Sequence, residues 1–287
     1  MIVALEFMAA PFLACMLLIG INIYFGIHVI KRDIIFINIA FAQIAALGGT
    51  IGTLIHEFLS QDHAGHSHDE HTFEAYILSI IFTMIAALIF TMLKSRRLNI
   101  SLEALIGIAY AVAATGAVII VDMAAGGDVH VKEMMEGTIL WVSWEQIIEL
   151  AVVFALIGLF HFIFRKKFLP MSDNYCGTTP NGYSMLWDFL FYTSFGIAVV
   201  HSVRVGGILT IFAFLIIPAS ISALFATRWV TRILIGWGLG TLVTICGLFL
   251  SWNIDVPSSP TVILFLGVFL VLAVIVKALG FFKIQSE

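Results

Sequence analysis

Ligand chemistry concentrates in one short run, Asp62-His63-Ala64-Gly65-His66-Ser67-His68-Asp69-Glu70-His71, which carries four imidazoles and three carboxylates. Neutral imidazole binds zinc and other late divalent ions well, and carboxylates compensate their charge. The run has two readings. It is either a weak metal collector, held back by the entropy a loop loses on wrapping an ion, or a solvated loop with no ordered site. Elsewhere, polar groups stand singly inside apolar stretches. Ionisable residues at membrane depth are costly and raise functional hypotheses by default. For His28, His56, Glu57, Asp122 and His161, each near the end of an apolar stretch, a side chain reaching headgroups or water is the preferred account. Gln43 offers an amide oxygen to a cation or a hydrogen bond to a neighbouring helix. His201 is a pathway ligand if the junction at Arg204 folds into the bundle, and a surface residue otherwise.

Matched catalytic sets are missing. No GxxxxGK[ST] loop is present, so the chain does not itself hydrolyse ATP. His56-Glu57-Phe58-Leu59-Ser60 supplies only the first histidine of an HExxH helix, and no GxSxG elbow occurs. Nor do the three cysteines, Cys15, Cys176 and Cys246, form a CxxC pair; they read as small packing residues. The expectation is a protein that is not an enzyme and binds no cofactor.

The elements that must position these residues follow from composition. Of 287 residues, 61% are hydrophobic and 11% charged, with a mean hydropathy of +1.08. Soluble domains average about 45–50% apolar and about 25% charged. The apolar stretches recur along the whole length, so the expected fold is all-α, a polytopic bundle of eight or nine transmembrane helices in one membrane domain covering residues 1–287. Stretches of about 20 apolar residues fall at roughly 5–29, 34–58, 74–93, 103–125, 144–164, 184–203, 206–226, 233–252 and 260–281. Only Arg204 and Val205 separate the sixth and seventh, hence the eight-helix alternative. The first stretch carries Glu6 and has no basic leader, which reads as an uncleaved helix. A net charge of −4 and the lack of a basic cluster exclude nucleic acid as a partner.

Lys31, Arg32, Lys94, Arg96, Arg97, Arg165, Lys166, Lys167, Arg228, Arg232, Lys277 and Lys283 all fall on alternate connections; only Lys132 and Arg204 fall on the others. By the positive-inside rule the N-terminus is outside and the C-terminus cytoplasmic. The histidine-rich loop 60–73 and the segment 126–136 are then external, and 165–183 is the longest cytoplasmic connection. Two helices carry packing signals. After Gln43 come Ala45, Ala46, Gly48, Gly49 and Gly52, small enough for another helix to approach closely. Pro218 removes a backbone donor and frees the carbonyl of Phe214, which suits either a moving, kinked helix or a plain bend.

Four blocks resemble the permease subunits of bacterial ABC importers for zinc, manganese and iron, the ABC-3 type family: Arg32 to Gly52; Glu103 to Gly107 with Glu136 to Leu140; Val205-Gly206-Gly207-Ile208-Leu209 through Leu215-Ile216-Ile217-Pro218-Ala219; and Ser251 to Leu264. The resemblance implies a multi-pass protein of the bacterial cytoplasmic membrane, surrounded by lipid and acting as a permease homodimer. It further implies two cytoplasmic ATPase subunits that carry the ATP, an external solute-binding protein, and a divalent metal as substrate. It makes 165–183 a coupling loop with a short helix docked on the ATPase, where Asp173 and Gly182 look like family residues. Many zinc and manganese members show an Asp-x-x-x-His pair on the second helix; here Ile39 and Gln43 stand in those positions, so that site does not carry over.

The expectation is therefore a metal-importer permease, with zinc leading because of His63, His66, His68 and His71, and manganese and iron behind it. Gln43, His56, Glu57 and His201 are candidate pathway residues. Alternatives are a permease for a metal chelate or small cofactor, an ATP-independent secondary metal transporter, and a membrane enzyme.

Overall fold

In hydrocarbon a backbone must satisfy its own hydrogen bonds, so apolar stretches of this length have only the helix available to them. A computed structural model describes residues 2–60, 68–95, 100–122, 137, 139–175 and 182–279; the side chains at 2–7, 56–60, 68–72, 95 and 122 lie outside the described set. Among these residues ten α-helices follow in order: α1 (Ile2–Lys31), α2 (Ile37–Ser60), α3 (His68–Ser95), α4 (Leu102–Asp122), α5 (Trp144–Ile163), α6 (Arg165–Asp173), α7 (Gly182–Gly206), α8 (Ile208–Phe225), α9 (Trp229–Ile254) and α10 (Ser258–Ala278). Among the described residues there is no strand, and all of these helices except the short α6 are long and apolar enough to cross a membrane. The chain is a multi-pass membrane protein with nine such spans among the described residues.

The question of eight or nine spans is settled by one residue. Gly207 sits at φ 74°, between the end of α7 and the start of α8. Its N–H still reaches Val203 O at 2.9 Å, and its own carbonyl accepts from Ile211 at 3.2 Å. One helix is closed and the next opened across a single left-handed residue, a conformation glycine adopts without steric cost. The break is real but falls at Gly207, within the expected seventh stretch, while Arg204 and Val205, expected to separate the two, belong to α7.

The chain divides into two units, residues 1–32, 136–164 and 202–287 in the first and 33–135 and 165–201 in the second. In the first, α1 packs against α8, α9 and α5, and α8 against α9 and α10. Gly26 makes the α1–α8 approach possible: a Cβ there would collide with the Leu215 carbonyl. Gly137, at φ 72°, lies against Gly206 and Gly207 where no Cβ would fit. Two of the family-like blocks thus meet as backbone on backbone.

In the second unit α2 packs against α3 and α4. The small residues of α2 do what their size implies: a Cβ on Gly48 would press on the Leu78 carbonyl and Phe82, and one on Gly52 on the backbone of Ala75. The α2 start, expected near residue 34, falls at Ile37, after Asp33 at φ 55°. Just ahead of it, Phe36 N–H donates to Glu103 Oε1 of α4 at 3.2 Å. A carboxylate from a neighbouring helix thus takes the place of a local cap at this positive helix end.

Candidate functional site

Gln43 is buried on α2, one turn beyond the half-buried Ile39. Asn38, on the same helix, is also buried, and its Oδ1 has no hydrogen-bond partner among the described residues. The first two turns of α2 therefore present amides rather than a carboxylate and an imidazole. Among the described residues no three His, Cys, Asp or Glu side chains come together as metal ligands. His56 and Glu57 lie on the last turns of α2, and His68 and His71 on the first turn of α3, but their side chains are outside the described set. His63 and His66, with the rest of that loop up to Ser67, lie outside the described residues.

His201 is folded into the second unit. It is 5% exposed; its Nδ1 pairs with Ile197 O at 2.9 Å and its Nε2 with the Tyr76 hydroxyl of α3 at 2.7 Å. With Nδ1–H donating to the carbonyl, Nε2 accepts from the phenol. Both ring nitrogens are engaged, so His201 fastens α7 to α3. Arg204, a turn further along, pairs at 3.1 Å with Glu149 of α5 in the first unit.

For two histidines the structure differs from the sequence expectation. The sequence favours His28 and His161 at an interface with side chains reaching headgroups or water; both are buried, at 0% and 2% exposure. They face inward within the first unit, with ring centroids 6.4 Å apart. Tyr24 joins them: its hydroxyl lies 2.9 Å from His161 Nδ1 and its ring is edge-on to His28. Trp229 covers the other side of His28, at 4.5 Å. Being near a helix end did not bring these rings to water because α1 and α5 close on each other there. The spacing carried a signal: Tyr24, His28 and Arg32 recur every four residues and so share a helix stripe, and Arg32 is also buried, at 1%.

The short helix expected of the 165–183 connection is α6. Phe168 anchors it with no exposure, edge-on to Trp187 and near Phe191, both on α7. Asp173 ends α6 in an exposed position and Gly182 opens α7 in another, and a Cβ on Gly182 would touch nothing; residues 176–181 are outside the described set. Pro218 is buried in α8, which continues through it to Phe225.

Sequence reading missed a polar cluster at the same end of the second unit. Lys94 in the last turn of α3 and Asp188 of α7 form an ion pair at 2.5 Å, with side chains 14% and 3% exposed. The Lys94 ammonium also lies over the Tyr175 ring, 3.6 Å from its centroid, and the Tyr175 hydroxyl meets that of Tyr192 at 2.5 Å. On the sequence alone Lys94 is only a topology signal and Asp188 carries no expectation. A carboxylate inside a mostly apolar helix was the available clue.

Comparison with known proteins places the whole arrangement. The model of the ABC 3 transport family matches residues 4–277. An uncharacterized membrane protein of Synechocystis is 26% identical over 65% of this chain and 66% of its own length. The manganese import system permease protein ScaB of Streptococcus parasanguinis is 23% identical over 69% of this chain and 70% of its own. The chain thus spans roughly two thirds of the length of these curated relatives. A solved structure described as PsaBC from Streptococcus pneumoniae in complex with Fab shares the fold, with a TM-score of 0.72 and 19% identity over 95% of this chain and 93% of that one.

Proposed function

The chain belongs to the ABC 3 transport family, and on that premise we propose that it is the permease subunit of an importer for a divalent transition metal, working beside ATPase subunits that hydrolyse the ATP. The observation that carries this reading is the family match along nearly the whole of a chain with nine apolar spans and no phosphate-binding loop. The permease functions as a homodimer with two cytoplasmic ATPases and an external binding protein that delivers the ion. Zinc leads as cargo on the strength of the histidine-rich segment 60–73. Manganese, named for one relative, and iron are the competing ions.

An amide at Gln43, in place of an imidazole, suits a path that holds an ion briefly: an importer must release what it takes up, and conduction needs sites weak enough to leave. Gln43 would offer Oε1 to a partly dehydrated cation, and Asn38 a second amide oxygen on the same helix. His63, His66, His68 and His71 would raise the ion's concentration outside. Asp173 and Gly182 would face the ATPase.

The test is uptake of zinc, manganese and iron into vesicles holding the permease, its ATPase and its charged binding protein, with and without ATP. ATP-dependent accumulation of one ion, reduced by Gln43→Ala, supports the reading. Accumulation without ATP would favour the secondary transporter, and ATPase stimulation by a chelate alone the chelate importer.

A further inference from the structure

We propose that Lys94, Asp188, Tyr175 and Tyr192 form a mechanical linkage that joins the cytoplasmic helix α6 to the spanning helices α3 and α7. They are positioning residues for the ATP-driven step, an inference that rests on the permease reading above. Asp188 sets the problem. A carboxylate 3% exposed inside a spanning helix is tolerated only when paired and hydrogen-bonded. Its partner, Lys94, comes from α3, and the same ammonium lies on the face of Tyr175, two residues past the end of α6. Tyr175 in turn is bonded to Tyr192, one turn along α7 from Asp188. One cation of α3 thus meets α7 and the residue just past α6. Phe168, seated between Trp187 and Phe191, fastens α6 to α7 at a second point.

The far ends of α3 and α7 are joined as well, by Tyr76 and His201. Tyr76 and Lys94 lie on the order of 27 Å apart along α3, and Asp188 and His201 on the order of 20 Å apart along α7, at the helical rise per residue. Between the two links Gly196 of α7 receives the Thr83 side chain of α3 so closely that a Cβ would not fit. Neither helix can slide or roll on the other without breaking a polar link, so α3 and α7 move as one body. A displacement of α6 passes through Tyr175 and Phe168 to that body. From α3 it reaches α2, packed on α3 through Gly48 and Gly52, and so Gln43.

Stability alone does not call for this chemistry, since well-packed apolar residues of similar volume replace a buried ion pair at no loss and often with gain. What apolar packing does not supply is direction: a bond network with two ends fixes how the three elements sit.

The deciding experiment compares ATP hydrolysis and ATP-driven ion uptake in vesicles containing the permease, its ATPase and its binding protein. The variant Lys94→Met with Asp188→Leu removes both charges of this pair together. The expected result is an assembled complex that still hydrolyses ATP but imports at least about fivefold less ion per ATP. Tyr175→Phe with Tyr192→Phe keeps both rings and removes only the hydroxyl bond, and it lowers the same ratio in the same direction. This second pair decides the matter if the first fails to assemble. Wild-type uptake per ATP in the variants overturns the linkage and leaves the permease reading intact. Absence of ATP-driven uptake in the unaltered protein overturns the permease reading, and the linkage with it.

Discussion

The two units each contain an ion pair, and the pairs differ in nearly everything except charge. Lys94 and Asp188 in the second unit meet at 2.5 Å with side chains 14% and 3% exposed; Arg204 and Glu149 in the first meet at 3.1 Å with 36% and 42% exposed. At the exposed pair, solvent screens the attraction and two long side chains lose freedom to hold it, so it contributes little. At the buried pair, little water is left as an alternative partner, and the carboxylate relies on the protein groups around it, Lys94 among them. A cation and a carboxylate make a local ornament in one place and a mechanical joint in the other. Burial decides which.

The largest effect comes from breaking the buried pair on one side only. Lys94→Met leaves Asp188 charged and enclosed, at a cost of about 3–5 kcal/mol, seen as a large loss of folded protein and a lower melting temperature in detergent. Adding Asp188→Leu recovers most of that stability; a double variant no more stable than the single would show that the charge is not what the lysine satisfies. Next in size is Tyr76→Phe, which removes the phenol from His201 Nε2 and costs about 1 kcal/mol, again by melting temperature. At the exposed pair Arg204→Ala costs at most about 1 kcal/mol, and the difference from wild type shrinks as salt is raised because exposed charges are screened. A loss as large as that of Lys94→Met would erase the distinction between the two pairs. The smallest effect on stability is that of Gly182→Ala, within about 0.5 kcal/mol, because the added methyl meets nothing among the described residues. Loss of ATP-driven uptake in that variant would therefore report contact with the ATPase rather than a damaged fold.

Histidine repeats the lesson. His201 was legible as a residue whose role depended on the junction beside it, and the break at Gly207 shows that α7 runs past it intact as far as Gly206. Its ring then meets Tyr76, 125 residues away in sequence. His28 and His161 were read as interfacial because each lies near the end of an apolar run. Their burial depends on Tyr24, 137 residues from His161, and on Trp229. That another helix could come close to Gly48 and Gly52 is legible from residue size, and a short helix within 165–183 is implied by the family resemblance. Which helix approaches, and that the short one spans Arg165–Asp173, came from the structure.

What the sequence determined by itself is whatever a local sum decides. Twenty consecutive apolar residues are enough to make a helix that belongs in a membrane, and the basic residues on alternate connections are enough to predict its direction. The fold class and the span positions follow from such sums, while the family rests on the resemblance of four sequence blocks and on the match over residues 4–277. Only the tertiary structure decided which polar groups are partners. Asp188 and Lys94 are 94 residues apart, and no window on the chain contains both. A carboxylate's cost in hydrocarbon can be read from its own neighbours, but its compensation is a property of the three-dimensional arrangement, because electrostatic pairing acts over a few ångströms of space and takes no account of distance along the chain.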